Sequence, residues 1–303
     1  NTLTEEQFPS LDPGETYWFD LSGQNIPGTV NNSVPDTRLT WVPFTYVGTI
    51  NAYSCDKGVS LPYDHSLFIA DYNLTYAVSW DDLNDVSMIF GEDYTSSGVG
   101  YTLRVPSAGS DDNSESGENQ RGTPENNEWY TILDKGDYIK NWSGMFSWGQ
   151  DTHMMYGTSY RVNRGSSSAR RYNYGSSANR HSSLGFRPVL EIFDALDSDD
   201  LQVVEVDLDG GKIGRITEVV NIVFKSNEDF TAPSGDGLTA PDGTKFSGWK
   251  DSDGKTYAPD DPISDDVTTL TAQWVDITVY YNISASAGEG GNVSGGGIIV
   301  SGN

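Results

Sequence analysis

The sequence predicts a strand-dominated α+β fold divided into more than one domain, on three observations. Short β-branched and aromatic runs recur between Gly-, Pro- and Asp-rich turns: Thr40–Tyr53, Tyr101–Val105, Val203–Val206 and Val219–Phe224. The best helical pattern opens at Ser79, a good N-cap, with Asp81 and Asp82 in the first turn. Leu83, Val86, Ile89 and Phe90 follow at helical spacing, so the helix is expected to run to Gly91. An acidic polar link, Asp194–Asp200, then follows the last apolar run of the first part. The boundaries implied are 1–197, 198–276 and a glycine-rich piece, 277–303, read as a partial β repeat or a C-terminal tail. A chain of 303 residues can bury a core in each of the first two.

Residues 1–40 carry short apolar pieces (Tyr17–Leu21, Ile26) between turns, an N-terminal wrap of strands and loops. Within Thr40–Tyr53, Pro43 argues against a central, fully laddered position. Ser66–Ala70 predicts another strand. Residues 107–127 are polar and low in complexity, which predicts a long mobile insertion.

Composition narrows the function. Aromatics at 12% and 33 glycines fit a loop-rich β protein rather than disorder. A formal net charge of −26 argues against nucleic acid, which needs a broad basic surface, and suits a secreted or cell-surface protein. The single cysteine, Cys55, excludes an intramolecular disulfide framework and a cysteine metal cluster. No apolar run approaches the ~20 residues of a membrane span, so no membrane insertion is expected. Asn1 is not a native start, and the chain is read as a mature or excised fragment.

The organising stretch is Asn141–Phe193. Aromatics (Trp142, Phe146, Trp148) open it and an apolar run after Gly185 closes it. The middle shows neither a helical nor a strand period and is rich in Ser, Gly, Asn, Tyr and Arg, the mixture that binding loops use. From Asp151 to Pro188 six arginines face one acid, Asp151. The candidate ligand contacts are Asp151, His153, Met155, Tyr156, Tyr160, Arg170, Arg171, Tyr172, Tyr174 and His181. Trp142, Trp148, Arg180 and Arg187 are expected to be structural.

No catalytic constellation stands out. His65, His153 and His181 form no triad or H-E-x-x-H pattern. Asp207–Gly210 and Asp251–Gly254 match only the first half of a calcium loop and are expected to be acidic turns. No metal and no cofactor is expected.

Leu67–Thr75 (LFIADYNLT), Ala77–Asp85 (AVSWDDLND) and Gly185–Leu190 (GFRPVL) resemble the formylglycine-generating-enzyme-like variety of the C-type lectin fold. The oxidase members of that family use a cysteine pair in the C-terminal part. Residues 56–303 contain no cysteine, and the E-P-N, Q-P-D and W-N-D calcium-sugar motifs are absent as well. The remaining resemblance is to the variable proteins of diversity-generating retroelements. It is carried by Trp142, Gly144, Ser147 and Trp148, by Gly175–Arg180 (GSSANR), and by the closing GFRPVL. It implies a receptor-binding surface whose exposed positions are diversified by adenine-targeted mutagenesis.

Pro241–Gly243, Phe246–Trp249, Asp251–Gly254, Tyr257–Pro259 and Thr269–Trp274 resemble the Listeria–Bacteroides repeat, a small β-grasp-like module of bacterial surface proteins. Trp249 and Trp274 are expected in its core. Together the resemblances imply a non-enzymatic adhesin or receptor-binding protein, displayed on a bacterial surface or encoded by a phage or prophage. Its target would be a protein or a cell-surface glycan. Two alternatives stay open: a formylglycine-generating-type enzyme relative, and a structural adhesin segment of fixed specificity.

Overall fold

The structure is a computed structural model that describes residues 6–54, 58–111, 126–192, 196–228, 230–278, 280–283, 286–292 and 297–300. Cys55 and the middle of the expected insertion lie outside the described residues.

The protein is mainly β, with few helices and several sheets. In chain order the first part contains β1 (Thr16–Phe19), β2 (Thr29–Val30), β3 (Val42–Ile50), β4 (His65–Ala70), β5 (Thr75–Tyr76), α1 (Trp80–Asp85), β6 (Glu92–Ser96) and β7 (Val99–Arg104). It continues with α2 (Glu128–Lys135), β8 (Phe146–Thr152), β9 (Tyr160–Gly165), β10 (Tyr172–Ser176), β11 (Leu184–Phe186) and β12 (Val189–Ile192). The second part contains β13 (Leu201–Asp207), β14 (Lys212–Ile213), β15 (Val220–Lys225), β16 (Leu238–Thr239), β17 (Thr244–Asp251), β18 (Thr256–Tyr257) and β19 (Thr269–Asp276). A strand pair, β20 (Tyr280–Ile283) and β21 (Gly297–Val300), follows.

Two six-stranded sheets make the N-terminal unit, ordered β1-β3-β4-β12-β7-β6 and β10-β9-β8-β11-β5-β2. Edge-on rings of Phe19, Phe44, Phe68 and Tyr101, 5.1–6.1 Å between centroids, fill the core of the first. Trp148, Leu184 and Phe186 of the second sheet join the same cluster. On the other face of the first sheet, Leu67, Ile69 and Val189 pack with Trp129 and Ile132 of α2 and with Val162 and Tyr172 of the β9–β10 hairpin. The C-terminal unit is a five-stranded sheet, β15-β13-β19-β17-β18, in which only the β13–β19 pair is parallel. Trp249 is fully buried and Trp274 partly so; their indole N–H groups donate to Pro233 O and Leu208 O.

The two units share their cores. Trp18 and Trp41 of the first pack among the apolar residues of the second, while Leu201 and Val223 of the second join the core of the first. Trp41 donates its indole N–H to Asp236 O at 2.8 Å, and its ring stands 6.3 Å from that of Trp249. The acidic link therefore joins docked units rather than separated ones.

Several local expectations are corrected. The helix opening at Ser79 stops at Asp85: Ser87 takes a left-handed φ of 63°, and of the four apolar positions expected on its inner face Leu83 and Ile89 reach the core while Val86 and Phe90 are exposed. Pro43 does sit in a strand paired on both sides, between β1 and β4, but as the second residue of β3 it precedes the β4 ladder, which begins at Phe44. The expected insertion is anchored at both ends: Ser107, Ala108, Ser110 and Asn127 are buried. The segment 151–181 is not irregular throughout, since β9 and β10 pair as an antiparallel hairpin. Its inward positions hold Arg164, Tyr172 and Tyr174 beside Val162, which hides the apolar alternation.

Candidate binding surface

The β8–β9 loop and the β9–β10 hairpin are fixed from below by polar groups that the fold buries. Gly149–Asp151 bulge out of β8, for Trp148 pairs with Asn163 and the next pair is Thr152 with Arg161. The bulge is tied down on three sides: Trp80 Nε1 donates to Gly149 O, Gln150 N to Pro106 O, and Gln150 Nε2 to Ile89 O. Asp151 is buried, and its carboxylate accepts from Ala108 N at 2.6 Å and Val59 N at 3.1 Å. Burial pushes its pKa up, and these backbone donors pull it back only in part. Arg164, also sealed, donates to the carbonyls of Ala108, Arg170 and Arg171 and so holds the hairpin turn against the segment that follows β7. Burial lowers the pKa of Arg164, a cost offset by three carbonyl acceptors.

Above this floor lies an aromatic cluster. His153 stacks 4.2 Å from Tyr174 and 5.1 Å from Tyr156; Tyr156 lies 4.9 Å from Tyr174 and 5.5 Å from Tyr160. Its outer members are open to solvent: Met155 is 69% exposed, Tyr156 50%, Met154 42% and Tyr160 37%. Such a patch of rings and thioethers costs free energy to hydrate; the tyrosine rings lose little side-chain entropy when covered, and the flexible methionines can adapt to what covers them.

The ten expected contact residues therefore divide. Met155, Tyr156 and Tyr160 form the exposed patch, with Tyr174 half-buried behind them. Asp151, His153 and Tyr172 are buried and support the patch instead of facing a target. The corrections have two causes: Asp151 and Tyr172 face inward from a bulge and a strand that the sequence pattern does not reveal, and His153, just past the end of β8, is covered by the rings of Tyr156, Tyr172 and Tyr174. Arg170 and Arg171 are half-exposed at the hairpin turn, where Arg170 lies over the Tyr130 ring at 5.8 Å. His181 is exposed in the turn between β10 and β11, its Nδ1 2.8 Å from Ser183 Oγ.

Sequence reasoning missed the α1 side of this surface. The Arg161 guanidinium lies 4.0 Å above the Trp80 ring and donates to Thr158 O and Thr152 Oγ1, while Phe90, 56% exposed, sets its edge on Trp80. Ser177 donates to Asp81 through its hydroxyl, and Arg180 grips Asp82 with two bonds of 2.6 and 2.7 Å. The tip of α1 is thus joined to the display segment. The other expected structural residues also hold framework positions: Arg187 is buried, donating to Ser147 Oγ, Ala70 O and Asn141 O, and Trp148 donates to Val78 O.

Among the described residues no group of three or more His, Cys, Asp or Glu could hold a metal ion. No helix among them is long and apolar enough to cross a membrane. No family model, no curated protein and no solved structure matches the chain.

Proposed function

We propose that the chain is a non-enzymatic binding protein that engages a protein or a cell-surface glycan through the patch formed by Met154, Met155, Tyr156 and Tyr160. The observation carrying this reading is the combination of exposed rings with a floor of buried, hydrogen-bonded Asp151, Arg164 and His153. A rigid base under a large amphipathic surface is the arrangement that lowers the entropic cost of recognition.

In this reading the N-terminal unit has a C-type lectin fold of the formylglycine-generating-enzyme-like kind and is a variable protein of a diversity-generating retroelement. The C-terminal unit is a β-grasp-like surface repeat, and the whole is displayed on a bacterial or phage surface. The motifs Ala77–Asp85 and Gly185–Leu190 support the first assignment, and the paired Phe246–Trp249 and Thr269–Trp274 strands support the second. The lack of any cysteine in 56–303 weighs against the oxidase relatives.

The genomic DNA around the gene tests the diversification. A near-repeat of the segment coding 141–193, beside a reverse transcriptase and differing only at adenines, is the expected finding. If no such copy exists, the binder has a fixed specificity. The patch itself is tested by the double variant Tyr156→Ala/Tyr160→Ala, which should lose attachment to target cells while keeping its fold. Unchanged attachment would overturn the assignment of the patch.

A further inference from the structure

A second site stands at the junction of the two units, away from the aromatic patch. A cleft of about 450 Å³ is lined from the N-terminal unit by Asn32, Ser33, Arg38 and Tyr72, and from the C-terminal unit by Arg215 and Thr239. Two glycines let its walls close. Gly214 has a φ of 56°, and a Cβ there would meet Pro35 O; Gly237 has a φ of 81°, and a Cβ there would stand 2.5 Å from Asp36 Oδ2. The cleft is therefore a product of docking and exists in neither unit alone.

Its charge is unlike that of the rest of the chain. In a protein with 44 acids and 18 bases, two arginines from different units line one concavity. Neither guanidinium has a carboxylate partner or a hydrogen bond among the described residues; the six ion pairs present there involve other groups. The one acid in the lining, Asp36, is buried and occupied by the backbone N–H groups of Arg38, Thr40 and Trp41. The arginines thus offer forked donors for a planar or tetrahedral anion. The space exceeds a bare anion, and the amide and hydroxyl groups of Asn32, Ser33 and Thr239 and the half-buried ring of Tyr72 suit a polyhydroxylated body. The overall charge of −26 repels a long polyanion strongly and a single acidic group far less, so the two nearby guanidinium groups can outweigh it for the latter.

We propose that this cleft binds an acidic saccharide, with Arg38 and Arg215 gripping its carboxylate or sulfate and the neighbouring amide and hydroxyl groups meeting its hydroxyls. The site is independent of the aromatic patch and of the function proposed for it.

Titration calorimetry on the intact chain tests this with N-acetylneuraminic acid, glucuronic acid and a sulfated glucosamine as probes. Galactose and inorganic sulfate serve as comparisons. At least one acidic sugar should bind, more tightly than either comparison. Arg38→Ala and Arg215→Ala should each weaken it by about tenfold or more, and Thr239→Trp, which fills the cleft, should abolish it. The double variant Tyr156→Ala/Tyr160→Ala should bind the sugar as the parent does. The proposal is overturned if none of the three sugars binds, if both arginine variants bind undiminished, or if sulfate binds as tightly as the sugars.

Discussion

His65 Nε2 lies 2.8 Å from Glu128 Oε1, and both side chains are sealed from solvent. Arg104 donates to both oxygens of Glu128 and to Glu191, and Ser107 N donates to Glu128 Oε2. The network joins β4, β7, β12 and the start of α2, and the next residue of the chain after Ser107, Ala108, holds Asp151 under the aromatic patch.

Two pH dependences follow with opposite signs. Burial opposes protonation of His65, but the hydrogen bond and charge of Glu128 outweigh it, so its pKa is raised. A raised pKa gives a contribution that is full below the unfolded value of about 6.5 and lost as pH rises through the folded one. Burial also penalises the Glu128 carboxylate, yet Arg104 and then His65 hold its pKa far below the usual range. That contribution is present above the unfolded carboxylate value and lost only in strong acid. The urea midpoint should therefore fall as pH rises above about 6.5, and the slope should flatten in His65→Gln. Glu128→Gln should cost about 3–5 kcal/mol at neutral pH, because it leaves Arg104 buried with a weakened partner. An equal slope in His65→Gln would refute the assignment to His65.

Helix α1 begins with a reciprocal cap: Ser79 Oγ accepts from Asp82 N, and Asp82 Oδ2 accepts from Ser79 N. Ser79→Ala should cost about 1 kcal/mol in denaturant melts. The Arg180 bonds, with the Ser79 bonds behind them, hold the Asp82 carboxyl well below its usual range. Its contribution is therefore lost as pH falls below that of ordinary carboxylates, and Asp82→Asn should soften the acid limb of the stability profile.

The division of the ten candidate contacts is testable by stability alone. Tyr156→Ala, at an exposed ring, should shift unfolding by less than about 1 kcal/mol. Arg164→Ala should cost about 3 kcal/mol or more, since it strips donors from buried carbonyls. Equal effects from the two would contradict the separation of exposed patch from buried floor.

The shared cores predict one unfolding transition for both units. Trp41→Ala should cost about 3–5 kcal/mol and lower the midpoint seen by probes in either unit. Two separated calorimetric peaks, with only one moved, would show that the units melt independently. Truncation after Asp197 should leave Trp18 and Trp41 uncovered and the fragment prone to associate.

How far these features were legible in the sequence depended on what each position packs against. The Ser79 cap, the β character and the structural tryptophans at 148 and 249 were legible because caps and large rings leave local marks. Helix α2 was missed, though Asn127 before Glu128 and the spacing of Trp129, Ile132 and Leu133, ending at Gly136, carry its pattern. The hairpin was missed because Arg164 and Tyr172 occupy inward positions that apolar side chains normally fill. Burial of Asp151 depends on Ala108, 43 residues away, and the next turn is tied to Ser110 O through Met154 N; no local pattern records either contact. The units' shared core was invisible for the same reason: Trp18 and Trp41 look like residues of their own domain.

The junction between Trp41 and Trp249 has a mechanical consequence. A tether with slack lets a recognition head swivel, so that load arriving at the head is felt only as tension along the linker. Here the indole of Trp41 is wedged into the neighbouring unit and pinned to Asp236 O. If the tyrosine patch holds a target as proposed, a pull on it is borne as leverage across a stiff joint. The head would then trade reach for a fixed bearing, with a grip that depends on the direction of the pull.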